Sequence, residues 1–93
     1  MREITDEKLA KYFEVTSKAL EMAKDKFDEE RIEIAKDFFN MAQSYFEDAK
    51  YFKEKNDYVL AFGALNYAHG WLDSGARIGI FKVKDSKLFT VDD

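Results

Sequence analysis

The 93-residue sequence contains neither cysteine nor proline, and it has a single histidine. The lack of cysteine excludes disulfide bonds, thiol chemistry and cysteine-ligated zinc. The lack of proline leaves every helix without its usual breaker, so long helices can continue uninterrupted. With one histidine, the paired Glu-x-x-His motifs of di-iron bundles are excluded, and we expect no metal centre. Stability must therefore come from helix packing.

Long apolar runs and an excess of positive charge are also missing. No run of about 18 apolar residues occurs, and charges are spread through residues 1–11, so we expect neither a membrane span nor a signal peptide. The net charge of −4 disfavours nucleic-acid binding, which needs a dense basic face. Phosphate loops, nucleophile elbows and dinucleotide fingerprints are absent, and no cofactor is expected. These absences favour a cytoplasmic soluble protein.

What the chain does contain is apolar and aromatic. Apolar residues make up 46% of it, with nine phenylalanines and five tyrosines, which is too rich for a disordered chain although 37% of the residues are charged. A chain of this length without an evident linker has room for one core. We therefore expect a single domain over residues 1–93.

Three helices are predicted, at about residues 6–25, 29–55 and 57–79, followed by a tail at 80–93. Thr5, Asp28 and Asp57 are placed as N-caps, since their side-chain oxygens accept the free N–H groups of a first helical turn. Asn56 suits a left-handed residue in a tight reversal before the third helix. The predicted fold is all-α, an up-and-down three-helix bundle with an extended C-terminal tail. We expect that tail to lie across the bundle as a cover; the alternative is a docking arm for a partner.

Small residues form one narrow stripe along the third helix, where another backbone can approach closely. The stripe comprises Ala61, Ala64, Ala68, Gly75 and Gly79. In an antiparallel hairpin, residues facing one another have numbers that sum to about 113, so large residues of the second helix meet small ones. The predicted pairs are Phe52 with Ala61, Ala49 with Ala64, Tyr45 with Ala68, and Phe38 with Gly75.

The rest of the third helix is apolar except for one arc that mixes polar groups with bare glycine positions. From this arc and its edges we predict a ligand or interaction surface that comprises Asn66, His69, Gly70, Trp71, Asp73 and Arg77. A helix that is apolar over most of its circumference is either central or covered by another chain. The preferred hypothesis is therefore a non-enzymatic protein-interaction module, self-associating through this helix and the tail. The alternative is a small-ligand site or weak enzyme built on the same polar residues.

Individual polar residues have structural interpretations as well. A lone histidine on an apolar flank is more often a hydrogen-bonded structural residue than a catalytic one, although Asp73 could orient the His69 ring. Arg77 is expected to pair with Asp73 or with the acids at 29, 30 and 33. Asp48 is interpreted as a partly buried structural carboxylate that accepts a hydrogen bond from Tyr67 or His69.

The run NYAHGWLDSGARIG, from Asn66 to Gly79, resembles the archaeal domain-of-unknown-function family 357. The upstream residues Tyr45, Asp48, Ala49 and Asp57 fit the same pattern. The resemblance extends from Tyr45 to Phe81, and the string from Gly70 to Asp73 is its most specific part. It implies a short archaeal protein folded as an up-and-down helical bundle, with no established activity or ligand.

Overall fold

A computed structural model describes residues 3–91, and three α-helices account for most of them. Helix α1 is Asp6–Ala23, α2 is Ile32–Glu54 and α3 is Tyr58–Arg77; a short 3-10 turn, Glu29–Arg31, precedes α2. Within residues 3–91 the only extended pairing is one isolated antiparallel bridge between Phe27 and Phe81. The predicted all-α bundle is confirmed, with each helix end within three residues of its predicted position.

Local capping sets where these helices begin. The side-chain oxygens of Thr5, Asp28 and Asp57 each accept a backbone N–H of the following turn at 3.1 Å, as predicted. Asn56 adopts the left-handed conformation, with φ at 60°, and reverses the chain between α2 and α3. This tight reversal makes the two helices antiparallel neighbours, and their contact is the most extensive in the molecule.

Alanines form the centre of the contact between α2 and α3. Both helices bury them fully: Ala35, Ala42 and Ala49 on α2, and Ala61 and Ala68 on α3. Small side chains on both sides let the two backbones approach, in agreement with the stripe predicted from the sequence at Ala61 and Ala68. The predicted partner of Gly75 was wrong. Phe38 packs edge-on against Trp71, with ring centroids 5.0 Å apart, while the atoms nearest Gly75 belong to Phe81 of the tail.

The tail lies on the bundle as a cover, so the docking-arm interpretation is wrong for its described part. Its apolar side chains are buried: Ile80, Phe81, Val83 and Phe89. Two backbone hydrogen bonds tie it to the segment after α1, from Asp28 N–H to the Ile80 carbonyl at 2.8 Å and from Lys82 N–H to the Lys26 carbonyl at 2.7 Å. Residues 92 and 93 of the predicted tail lie outside the described residues.

Helix α1 packs more against α3 than against α2. The Tyr12 and Phe62 rings meet edge-on at 4.8 Å, and the Tyr58 hydroxyl donates to Asp6. This placement leaves one side of the α2–α3 pair open. In the described part of the chain, no helix is both long and apolar enough to cross a membrane.

Candidate functional site

Five of the six predicted surface residues of α3, all except Arg77, line two open grooves that share a ridge. Asn66 and Gly70 are exposed and border both grooves. The groove towards α2, here called the aromatic groove, has a volume of about 370 Å³ and is lined by Phe38, Asn66, Tyr67, Gly70, Trp71 and Ser74. The groove towards α1, the histidine groove, measures about 230 Å³ and is lined by Tyr12, Val15, Thr16, Leu65, Asn66, His69, Gly70 and Asp73. Trp71 therefore belongs to one groove, and His69 and Asp73 to the other.

The aromatic groove is built from edge-on ring contacts. Tyr67 packs against Tyr45 at 4.4 Å and against Trp71 at 6.4 Å, and Phe38 continues the row on α2. Although its ring has these neighbours, Tyr67 is 53% exposed. Ile78, two turns after Trp71, is also about half exposed. The groove thus presents exposed aromatic surface to solvent.

Two glycines on the outer side of α3 have no packing partner. A Cβ added at Gly63 or Gly70 would meet nothing within 4 Å. Glycine inside a helix is about 0.8–1 kcal/mol less favourable than alanine, because the unfolded chain gains conformational freedom. Contacts within the described part of the chain therefore give no reason for these two residues to be glycine.

His69 lies in the histidine groove and connects three segments of the chain. Its Nε2 lies 2.6 Å from the carbonyl oxygen of Leu88, which only accepts, so Nε2 carries a proton. In the neutral ring Nδ1 is then an acceptor, and it receives the hydroxyl of Thr16 at 3.1 Å. Thr16 is only 2% exposed. The histidine therefore joins α1, α3 and the tail through one ring.

Asp73 binds the tail next to His69, and it is not the main group that orients the imidazole ring. Its Oδ1 accepts the Thr90 N–H at 2.9 Å and lies 3.7 Å from His69 Nε2. The ring is oriented chiefly by the Leu88 carbonyl. These contacts join residues 17 and 19 positions apart without any periodic spacing, so no pattern in the sequence indicates them.

Two of the sequence-based pairings are wrong. Arg77 is exposed, forms no ion pair within residues 3–91 and lines neither groove, because Asp73 is turned towards the tail. Asp48 is exposed on α2 and forms no hydrogen bond to the described residues. Of the expected partners, His69 is bonded elsewhere through both ring nitrogens, and the ring of Tyr67 packs on Tyr45.

Arg31, which the sequence analysis did not single out, secures the junction between α3 and the tail. Its Nη1 donates to the Ile78 carbonyl at 3.0 Å, and its Nε donates to Asp28 at 2.8 Å. This guanidinium, helped by the N–H of Glu30, lowers the pKa of the Asp28 carboxyl. The three-residue spacing of Asp28 and Arg31 was a local signal for half of this arrangement. No local signal in the sequence indicated the contact with the Ile78 carbonyl.

Replacing His69 with alanine should detach the end of the tail. The substitution removes the donor to Leu88 and leaves the buried Thr16 hydroxyl without its partner, which costs about 1–3 kcal/mol of unfolding free energy. Hydrogen exchange should show faster exchange at the Phe89 and Thr90 amides. Adding Thr16→Val should recover part of the stability, because it removes the orphaned hydroxyl. Unchanged exchange at these amides in His69→Ala would contradict the assigned role.

Within residues 3–91, no three histidine, aspartate or glutamate side chains lie close enough together to hold a metal ion.

No curated protein and no solved structure gives a significant match to the chain. A family profile does match, over residues 11–81, and it covers most of α1, all of α2 and α3, and the first residues of the tail. The chain belongs to the family described as "Protein of unknown function (DUF357)".

Proposed function

We propose that this protein is a self-associating interaction module whose contact surface is the aromatic groove together with Gly63 and Gly70. The occupant of this surface is a second copy of the chain. The observation that carries the proposal is the open row of Phe38, Tyr67 and Trp71, which the described part of the tail leaves uncovered. The tail is already used elsewhere, since Phe89 is 3% exposed against the bundle.

Helix α3 is suited to contact a copy of itself. From residue 58 to residue 72 it contains no aspartate, glutamate, lysine or arginine, so two such helices can meet without burying a charge. A two-fold axis between Asn66 and Tyr67 places Gly63 of one copy opposite Gly70 of the other. The two backbones can then approach closely while Tyr67 and Trp71 fill the flanking space, as an isologous dimer contact requires.

The molecule is also large enough for such a contact. Its Cα atoms span 44 Å and 25 Å along the two longest axes. A stable interface buries about 800 Å² on each partner, which a face of these dimensions can supply. We expect the protein to be soluble and cytoplasmic, and fractionation of the host cell would test that location.

Tyr67→Ser should weaken the dimer without unfolding the monomer. The tyrosine is already half exposed, and its loss removes an aromatic anchor of the kind that dominates interfaces, worth about 2 kcal/mol of association or some thirtyfold in the dissociation constant. Sedimentation equilibrium over a wide concentration range measures this change. Tyr51→Ser is the matched control, because Tyr51 is 56% exposed but lies outside the groove.

Gly70→Ala provides a second test, because it should stabilise the monomer and weaken the dimer. The added methyl meets nothing in the monomer, so it should raise the monomer's unfolding free energy by about 0.5–1 kcal/mol. At a helix contact the same methyl separates the backbones and should lower the dimer fraction. A wild-type protein that stays monomeric at millimolar concentration would reject self-association.

The alternative of a ligand site or weak enzyme on Asn66, His69, Asp73 and Arg77 gains no comparable support. Both nitrogens of His69 are engaged, and Asp73 is occupied by the tail. Arg77 lies outside both grooves. These four residues do not converge on a common point, so we do not propose the alternative.

A further inference from the structure

A third groove lies where the tail crosses the ends of α1 and α3. Its volume is about 520 Å³, and it is lined by Met22, Lys26, Ala76, Gly79, Phe81, Lys82, Val83 and Lys84. The floor is apolar, since Phe81 and Val83 are buried, whereas all three lysines are exposed. We call it the lysine groove. It shares no residue with the aromatic groove.

The fold places two of these lysines directly opposite one another. The antiparallel bridge joins Phe27 to Phe81, and the Lys82 N–H donates to the Lys26 carbonyl at 2.7 Å. Residues 26 and 82 are therefore neighbours across the pair. Like charges in this position repel and destabilise the pairing. Lys84 adds a third positive charge to the same groove.

None of the three lysines forms an ion pair within residues 3–91, although Lys82 also borders a neighbouring groove that contains Asp28, Glu29 and Glu30. Other lysines of the chain do form ion pairs: Lys18, Lys24, Lys36 and Lys50. The charge of Lys82 acts on Asp28, but that carboxylate already pairs with Arg31 at 2.8 Å. Three lysines without an ion pair thus line the lysine groove, although the net charge of the protein is −4.

We propose that the lysine groove binds a small organic anion, a carboxylate or phosphate attached to an apolar body. The anionic head lies between Lys26 and Lys82 and removes their mutual repulsion. The apolar body lies along Met22 and Val83. A point charge such as an ammonium group binds either kind of head, and an open groove of this volume is within the range of small-molecule sites.

The competing structural explanation is that the lysines complement the negative ends of α1 and α3. The two explanations differ for the protein without ligand. If the lysines stabilise the helix ends, removing them lowers the melting temperature. If they form an anion site, removing the two opposed charges leaves the melting temperature unchanged or raises it.

The test is an NMR titration of the intact protein with decanoate, decyl phosphate, decanol and inorganic phosphate, all below their micelle concentrations. Decanoate or decyl phosphate should shift the amides of Met22, Gly79, Phe81 and Val83. Decanol and inorganic phosphate should bind at least about tenfold more weakly, because each offers only half of the contacts. The tighter of the two amphiphiles identifies the head group.

Lys26→Gln/Lys82→Gln should weaken binding of the preferred amphiphile about tenfold, as expected for two exposed charge contacts of about 0.7 kcal/mol each. Lys8→Gln/Lys11→Gln, with the same change in net charge on α1, should bind as the wild type does. Equal binding of decanol and decanoate, undiminished binding in the first variant, or a lower melting temperature for that variant than for the control would each overturn the proposal. Binding only to phosphatidylglycerol vesicles would assign a membrane surface instead and would also overturn it.

Discussion

Phe81→Ala is expected to lower the free energy of unfolding by about 3–5 kcal/mol, the usual loss when a core phenylalanine is truncated. Phe81 is the largest of the fully buried side chains, at 1% exposure, and its ring lies 5.7 Å from that of Phe27. The loss is a large part of the 5–15 kcal/mol that a domain of this kind has in total. Urea denaturation followed by circular dichroism measures it.

Phe52→Ala serves as the control, because Phe52 lies near the end of α2 and is only partly buried. It should cost clearly less than Phe81→Ala. A loss below about 1 kcal/mol for Phe81→Ala would mean that the start of the tail is not docked in solution. The covering role of the whole tail would then be lost as well.

The predictable part of this fold is the part governed by local signals. The caps at Thr5, Asp28 and Asp57 act over two or three residues, so sequence alone identified them. The tight reversal at Asn56 then made α2 and α3 neighbours and directed their small residues at each other. Helical periodicity and short-range hydrogen bonding were sufficient for all of this.

Contacts made by the tail could not be predicted, because they depend on how the chain turns after α3. Gly79 adopts a φ of 83°, and Arg31 secures that turn from a distant segment. The turn sends Phe81 back over Gly75 and carries Leu88 to His69. A periodic pattern within one helix carries no information about either contact, which is why Phe38 was given the wrong partner.

The candidate surface could be predicted only in part, because helical spacing does not indicate where the tail lies. Helical spacing placed Asn66 and Gly70 on one arc of α3, and both residues are exposed, with Trp71 beside them in the aromatic groove. The same spacing placed Asp73 beside His69. It did not indicate that the tail binds Asp73 through the Thr90 N–H. Since the described tail hydrogen-bonds to His69 and Asp73 but does not line the aromatic groove, the structure divides one predicted surface into a part that binds the tail and a part that does not.

Gly75→Ala should destabilise the protein by about 1–3 kcal/mol although alanine is the better helix former. The new Cβ would lie 2.4 Å from Cε2 and 2.5 Å from Cδ2 of Phe81. The ring has little freedom to move away, because the Gly75 carbonyl accepts the N–H groups of both Ile80 and Phe81 and so fixes the tail at this point. Thermal and urea denaturation of the single variant measure the loss.

The cause of that loss can be isolated in the Phe81→Ala background. Phe81→Ala removes the three atoms nearest the methyl at position 75, so Gly75→Ala should become neutral or stabilising by up to about 1 kcal/mol there. This reversal of sign defines a coupling energy between the two sites in a double-mutant cycle. Gly63→Ala, where a Cβ meets nothing, should stabilise the monomer equally in both backgrounds. If Gly75→Ala costs the same with and without Phe81, the close approach of the tail to α3 is not what requires glycine at this position.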